Sequence, residues 1–212
     1  MTDALVLLCS PRPDGVSDTL ARLFAQGATG AGVSVRITAL RDYNISPCVG
    51  CMRCVNPPHN CVLTNSDMPQ KNRDQAEKIF TLFAAAPLVF LATPIYFYSL
   101  PSGFKAFIDR GQRFWAAKEY RLHHEARPAH PIKPVLAGLT AGRRRGRRLF
   151  TGALLTLKYF LTPLDAHLCE ARFLRGMEHT ADLLEQQGVC EKLRAWGRKW
   201  GERITTMHHY SL

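Results

Sequence analysis

The chain has no apolar run approaching the ~18 or more residues of a membrane-spanning helix. No basic stretch precedes its first apolar segment, Ala4–Cys9, which argues against a secretion signal and for a cytoplasmic protein. The G-K-[ST] ending of a Walker phosphate loop is missing, and so is the dinucleotide pattern G-x-G-x-x-G. No Ser–His–Asp order marks a hydrolase. Acidic residues are scarce: 17 Asp and Glu stand against 28 Lys and Arg, a formal charge of +11. Apolar residues are not scarce. At 46% of 212 residues they suffice for a sizeable core, which excludes a disordered chain and fits one domain over residues 1–212.

What the chain does concentrate is cysteine. Four of its seven, Cys48, Cys51, Cys54 and Cys61, fall within fourteen residues as C-x2-C-x2-C-x6-C. A local cluster fits a reducing compartment better than a disulfide-stapled secreted fold. Thiolate sulfur suits iron–sulfur clusters, zinc and copper, and a tight C-x2-C-x2-C run is the usual ligand source for a [4Fe-4S] core. The expectation is therefore a [4Fe-4S] cluster on Cys48, Cys51, Cys54 and Cys61. Structural zinc, a redox dithiol, a pair of disulfides and a ligand set that no longer binds metal compete for the same residues. Cys9, Cys169 and Cys190 read as packing residues.

Taken in order, short apolar runs alternate with helical periodicity. Ala4–Leu8 reads as a buried parallel strand. The polar loop after it, Ser10 to Thr19, leads into a helix carrying Leu20, Leu23, Phe24 and Ala28. Strand, hydroxyl-rich loop, helix is the order that aims backbone N–H groups at an anion. The plainer alternative is a turn capped by Ser17 or Thr19. Val33–Leu40 is a second strand, and the cysteine loop 47–61 follows it. Asp67 and Pro69 open a helix to about Ala85. Pro87–Ala92 is a third strand, ended by Thr93-Pro94-Ile95-Tyr96-Phe97-Tyr98-Ser99, whose rings suit a planar heteroaromatic ligand at the carboxyl edge of a sheet. Ser102–Gln112 reads as a helix, 113–133 as an irregular connection, Pro134–Leu139 as a fourth strand, and 147–162 as a helix. Ala166–Phe173 is a fifth strand, polar enough for an edge. A closing helix over 178–203 is weakened by Gly188. The whole predicts a doubly wound α/β fold with a five-stranded parallel sheet.

These residues carry a resemblance. Cys9-Ser10-Pro11-Arg12 with Ser17 and Thr19, the run Pro47–Cys54 with Cys61, Thr93-Pro94-Ile95-Tyr96-Phe97, and Gly103-Phe104-Lys105-Ala106-Phe107-Ile108-Asp109-Arg110 together resemble the flavodoxin-like NADPH-dependent FMN reductases, and within them the iron–sulfur flavoproteins. The likeness covers about residues 4 to 175 and persists weakly through Gly142 and Gly146. It implies a flavodoxin-like fold and non-covalent FMN. The phosphate contacts it implies are Ser10, Arg12, Ser17 and Thr19. The isoalloxazine contacts it implies are Thr93, Pro94, Ile95, Tyr96 and Phe97, with Gly142 also counted as cofactor-binding, and the cluster ligands are the four clustered cysteines. One departure is Asp18, which sets a carboxylate beside the phosphate site unless its side chain points outward.

The expected function is an iron–sulfur flavoprotein passing electrons between FMN, a [4Fe-4S] cluster and an acidic partner such as ferredoxin. The alternative is a cluster-free reductase that uses NAD(P)H to reduce FMN, a quinone or an aromatic substrate. No side chain stands out as a general base, so the chemistry falls to cofactors. Residues Gly103 to Pro163 hold thirteen Lys or Arg and three acids, centred on Arg143-Arg144-Arg145-Gly146-Arg147-Arg148. A nicotinamide cofactor phosphate, an acidic protein and an intersubunit salt-bridge patch compete for this run. It lacks interleaved aromatics and lies in a loop, which argues against nucleic acid. Tyr96, Phe97, Tyr98 and Trp115 together predict a homodimer or homotetramer.

Overall fold

A computed structural model describes residues 3–64, 74–124 and 132–209. Five strands form one parallel sheet in the order β2-β1-β3-β4-β5. They are β1 (Ala4–Leu8), β2 (Val35–Ala39), β3 (Val89–Pro94), β4 (Lys133–Ala141) and β5 (Ala166–Arg175). The α-helices among the described residues are α1 (Val16–Gly30), α2 (Ala76–Ala85), α3 (Ser102–Asp109), α4 (Gln112–His124), α5 (Thr151–Leu161), α6 (Thr180–Leu184) and α7 (Gln187–His209). This is the doubly wound, flavodoxin-like arrangement that the alternation predicts.

Helices cover both faces of the sheet, which is why β1 and most of β3 are buried throughout and read as continuous apolar runs rather than alternating ones. On one face, Leu5, Leu7, Val89 and Leu91 pack with Phe80, Phe83, Phe104, Phe107 and Phe160 from α2, α3 and α5. On the other, Val6, Leu8 and Phe90 pack with Leu20, Phe24 and Ala28 of α1 and Trp196 and Trp200 of α7. The α1–α7 contact is made backbone to backbone. A Cβ on Gly27 would stand 1.8 Å from Arg194 O, and one on Gly197 would stand 1.9 Å from Phe24 O.

Three local features differ from the sequence reading. The segment expected as an irregular connection contains α4. None of its residues is buried, so it shows no apolar stripe to read. Polar ties fix it instead: Lys118 Nζ donates to Asp165 Oδ1 and to Thr162 O, each at 2.7 Å. The closing helix is two helices, parted at Glu185 and Gln186, and the first starts where Asp182 accepts the backbone N–H groups of Glu178 and His179 at 2.8 Å and caps α6. Gly188 then falls in the first turn of α7, where a glycine costs little. Ser17 and Thr19 lie inside the first turn of α1 rather than capping it. The expected helix start at Asp67 and Pro69 lies outside the described residues.

Candidate functional site

β1, β3 and β4 are neighbours, with Leu8 opposite Ala92 and Pro94 opposite Thr140. The loops that leave their carboxyl ends therefore meet at one edge, the place where ligands bind in open parallel sheets.

The first loop is shaped by its own side chains. Ser10 Oγ donates to Arg12 O at 3.0 Å and accepts the Arg12 N–H at 3.1 Å, closing a tight turn that leaves Arg12 exposed. Gly15 stands at the N-cap of α1 without a side-chain cap, so no side chain occupies the N–H groups at the head of the helix. Ser17 and Thr19 are buried in that first turn, and Thr19 Oγ1 donates to Gly15 O at 3.2 Å. Asp18, the residue that disturbs the sequence reading, is fully buried rather than turned outward. Its Oδ2 accepts from Arg41 Nη2 at 2.8 Å and from the Asp14 N–H at 3.1 Å. Arg41 Nη1 also donates to Ser10 O at 3.1 Å. The carboxylate is thus neutralised and tethers the loop. Arg41 is a positioning residue that sequence reasoning missed; its partner lies 23 positions away and no local pattern links them.

The loop after β3 extends the sheet by one bond, Ile95 N–H to Thr140 O at 2.8 Å. Thr93 is buried, and its Oγ1 donates to Pro94 O. Tyr96 and Ser99 then exchange two backbone hydrogen bonds, at 3.0 and 2.9 Å. Phe97 and Tyr98 between them have φ of 49° and 62°, a tight turn that ordinarily takes Asn and Gly. Holding non-glycine residues there costs of order 1–3 kcal/mol each. The effect is to hold the Phe97 ring wholly in solvent, 102% exposed, at the rim of the edge. From the loop after β4, Arg143 Nη1 donates to Tyr98 Oη at 3.2 Å, with the guanidinium 5.9 Å from the ring centre. Gly142 lies where a Cβ would approach Glu178 Cγ to 2.7 Å. Arg145, Arg147 and Arg148 are exposed. An uncapped helix head, buried hydroxyls, a cationic rim and exposed aromatic rings together suit a phosphorylated planar cofactor of the FMN kind.

The cysteine loop behaves differently from the sequence expectation. Among the described residues, no group of three or more His, Cys, Asp or Glu is placed to hold a metal ion. This overturns the [4Fe-4S] cluster expected on Cys48, Cys51, Cys54 and Cys61, and with it the iron–sulfur flavoprotein reading. Cys48 and Cys51 are exposed while Cys54 and Cys61 are half-buried. Gly50 and Met52 both take positive φ, 64° and 60°, and the chain then enters a 3-10 turn at Arg53–Val55. All four thiols border one cavity of about 780 Å3, closed on its far side by Trp115, Tyr120 and other residues of α4. They are near enough to influence one another. Burial, partly offset by a backbone hydrogen bond, pushes the Cys54 thiol up, and the neighbouring sulfurs of Cys61, Cys48 and Cys51 add to the shift.

Behind this loop lies Arg110, its side chain 1% exposed and ion-paired with Asp74. It also donates to Ser46 O at 3.2 Å, while its Nε and Nη2 have no oxygen or nitrogen partner among the described residues. Burial works against the Arg110 charge, but Asp74 and then Cys61 more than offset it, so its pKa rises. A second cavity of about 450 Å3 shares Cys61 and Val62 with the first and is lined by Arg53 and Arg113.

The family model described as NADPH-dependent FMN reductase matches residues 2–168. The chain belongs to that family. A curated relative, an iron–sulfur flavoprotein of Methanocaldococcus jannaschii, is 25% identical over 103 residues, 49% of this chain and 48% of the relative. The chain thus matches about half the length of that relative. Among solved structures, a protein titled flavone reductase superposes with a TM-score of 0.64 at 14% identity, over 98% of this chain and 64% of its own. An azoreductase from Bacillus anthracis gives 0.62 at 16% identity, over 96% of this chain and all of its own. An NAD(P)H:quinone oxidoreductase from Methanothermobacter marburgensis gives 0.55 at 13%, over 96% and 97%. At such identities the likeness is one of fold. No helix among the described residues is long and apolar enough to cross a membrane.

Proposed function

We propose that this protein is an FMN-dependent oxidoreductase that takes electrons from NAD(P)H and delivers them to a flavin, a quinone or another aromatic acceptor. The observation that carries the reading is the meeting of three loops at the carboxyl edge of adjacent strands β1, β3 and β4, on a chain of the FMN reductase family. In this reading the head of α1 with Ser10, Ser17 and Thr19 holds the phosphate, and Arg12 offsets its charge. The backbone of Thr93, Pro94, Ile95, Tyr96 and Phe97 runs along the ring system, with Gly142 on the facing loop. FMN, when bound, supplies acceptance of two electrons and their release together or singly. The chain's own groups position and shield it. No side chain has to serve as a general base. The likeness to an azoreductase and to a quinone oxidoreductase supports acceptors of the aromatic class.

In the same reading residues 1–212 form one cytoplasmic domain that assembles as a homodimer or homotetramer. The exposed Arg145, Arg147 and Arg148 offer a docking face to the cofactor phosphate or to an acidic electron-transfer protein such as ferredoxin. The purified chain should take up about one FMN, with absorption near ~450 nm, and oxidise NADPH when a naphthoquinone is supplied. Ser17→Ala should weaken FMN binding about tenfold, as loss of one charge-assisted hydrogen bond does. A chain that folds but takes up no FMN would end the proposal.

A further inference from the structure

The flavin reading leaves the cysteine loop unused. Its four thiols ring one cavity, and Cys61 alone among them also borders the second cavity. The two cavities differ in chemistry. The first presents Val49, Met52, Val62, Leu63 and Trp115, with Asp109 and Glu119 at its border; the second presents Arg53 and Arg113 with Glu77. Arg113 is paired with Glu77, whereas Arg53 is exposed. Beside Cys61 lies the buried Arg110, whose Nε and Nη2 meet no oxygen or nitrogen partner among the described residues and whose charge Cys61 supports after Asp74. A buried guanidinium next to a sulfur is a charge-assisted hydrogen-bond donor to it. His59 Nδ1 contacts Cys54 O at 3.0 Å, and its buried Nε2 has no partner among the described residues. Two polar groups thus lie beside the pair of half-buried thiols.

We propose that this is a thiol–disulfide exchange site for an anionic low-molecular-weight disulfide of the glutathione type, in which Cys61 is the attacking thiol and Cys54 the resolving one. The carboxylates of the disulfide lie toward Arg53, and its sulfurs reach Cys61 at the junction of the cavities. Cys61 sulfur bonds to one sulfur of RSSR, the S–S bond breaks, and RS− leaves. Cys54 sulfur then bonds to Cys61 sulfur and expels the second RS−. The two thiol protons end on two RSH. The protein dithiol is oxidised by two electrons and the small disulfide is reduced by two. The exchange needs neither FMN nor nicotinamide, so it stands or falls separately from the flavin reading.

The test uses full-length protein, reduced and freed of reductant, with oxidised glutathione as the probe. Two glutathione thiols should be released per chain, and peptide mapping should find Cys54 joined to Cys61. Cys54→Ser should release one and retain glutathione on Cys61. Cys61→Ser should react at least ~10-fold more slowly while melting like the parent; if it fails to fold, the trap on Cys54→Ser decides alone. Arg53→Ala should slow oxidised glutathione about fivefold, the size of an exposed ion pair, and leave neutral 2-hydroxyethyl disulfide unaffected. The proposal is overturned if Cys61→Ser keeps the parent rate. It is equally overturned if glutathione in Cys54→Ser settles on Cys48, Cys51 or the exposed Cys169, or if Arg53→Ala slows both disulfides alike.

Discussion

Buried charges decide much at the scale of single residues. Asp18 is wholly enclosed, and Arg41 is its cationic partner. Arg41→Ala should destabilise the fold by about 3–5 kcal/mol, because an uncompensated carboxylate is left in the interior. The loss would appear as a lower urea midpoint with unchanged slope. Asp18→Asn should cost less, since the amide still accepts from the Asp14 N–H. If Arg41→Ala cost no more than Asp18→Asn, the pair would not be what neutralises the loop. Lys133 gives a pH signature. Its ammonium donates to Phe83 O at 2.6 Å and to Ala84 O at the end of α2, yet burial pulls its pKa down from 10.5 to about 8. The unfolded chain then binds more protons than the folded one between about pH 8 and 10.5, so this group's contribution to stability rises across that window. Lys133→Met should flatten the rise, as seen by comparing urea midpoints of parent and variant at both ends of the window. Neither Arg41–Asp18 nor Arg110–Asp74 was legible in the sequence. Each joins positions brought together only by the sheet.

Elements show a different balance between what is local and what is not. β1 and β3 are legible because burial on both faces demands uninterrupted apolar residues. The same logic hides α4, whose residues are nowhere fully buried. It also hides the thiols' arrangement: the spacing of Cys48, Cys51, Cys54 and Cys61 describes reach along the chain, while the positive φ values at Gly50 and Met52 set where each sulfur points. The α1–α7 pair is legible only as two amphipathic helices, not as a close approach. Yet Gly27 and Gly197 allow main chain to lie against main chain. Gly197→Ala should force the helices apart and cost at least about 2 kcal/mol, the range for overpacking a close interface. Because α1 also presents its N-terminus to the proposed phosphate site, FMN binding should weaken in parallel. Lowered stability with unaltered FMN affinity would show that the head of α1 is held independently of its far end.

For the molecule as a whole, the sheet order and the meeting of three loops follow from strand alternation and the rule that ligands gather at carboxyl ends. Which surfaces face a partner does not follow. The aromatic residues expected to form one patch lie on two elements: Tyr96, Phe97 and Tyr98 on the β3 turn, and Trp115 on α4 beside the cysteine cavity. Exposed Leu155 and Tyr159 add apolar surface on α5, with Tyr159 and Trp115 lining one shared depression. Sedimentation at micromolar concentration should therefore give a dimer or larger, with Tyr159→Glu shifting it toward monomer. A parent chain that sediments as a monomer would contradict this.

The contact between α1 and α7 also bears on how the chain is made. On α1, Leu20 rests against β4 at Gly138, while Phe24 and Ala28 are covered by Trp196, Gly197 and their neighbours on α7, more than 150 positions later. On the ribosome, strands β1 to β4 and their helices are extruded before that cover exists. At ~5–20 residues per second, Phe24 and Phe90 lack their Trp196 cover for about five seconds or more. Closure of this face thus waits on residues 187–209, and a chain stalled or stopped before them leaves a sticky face that quality control can recognise.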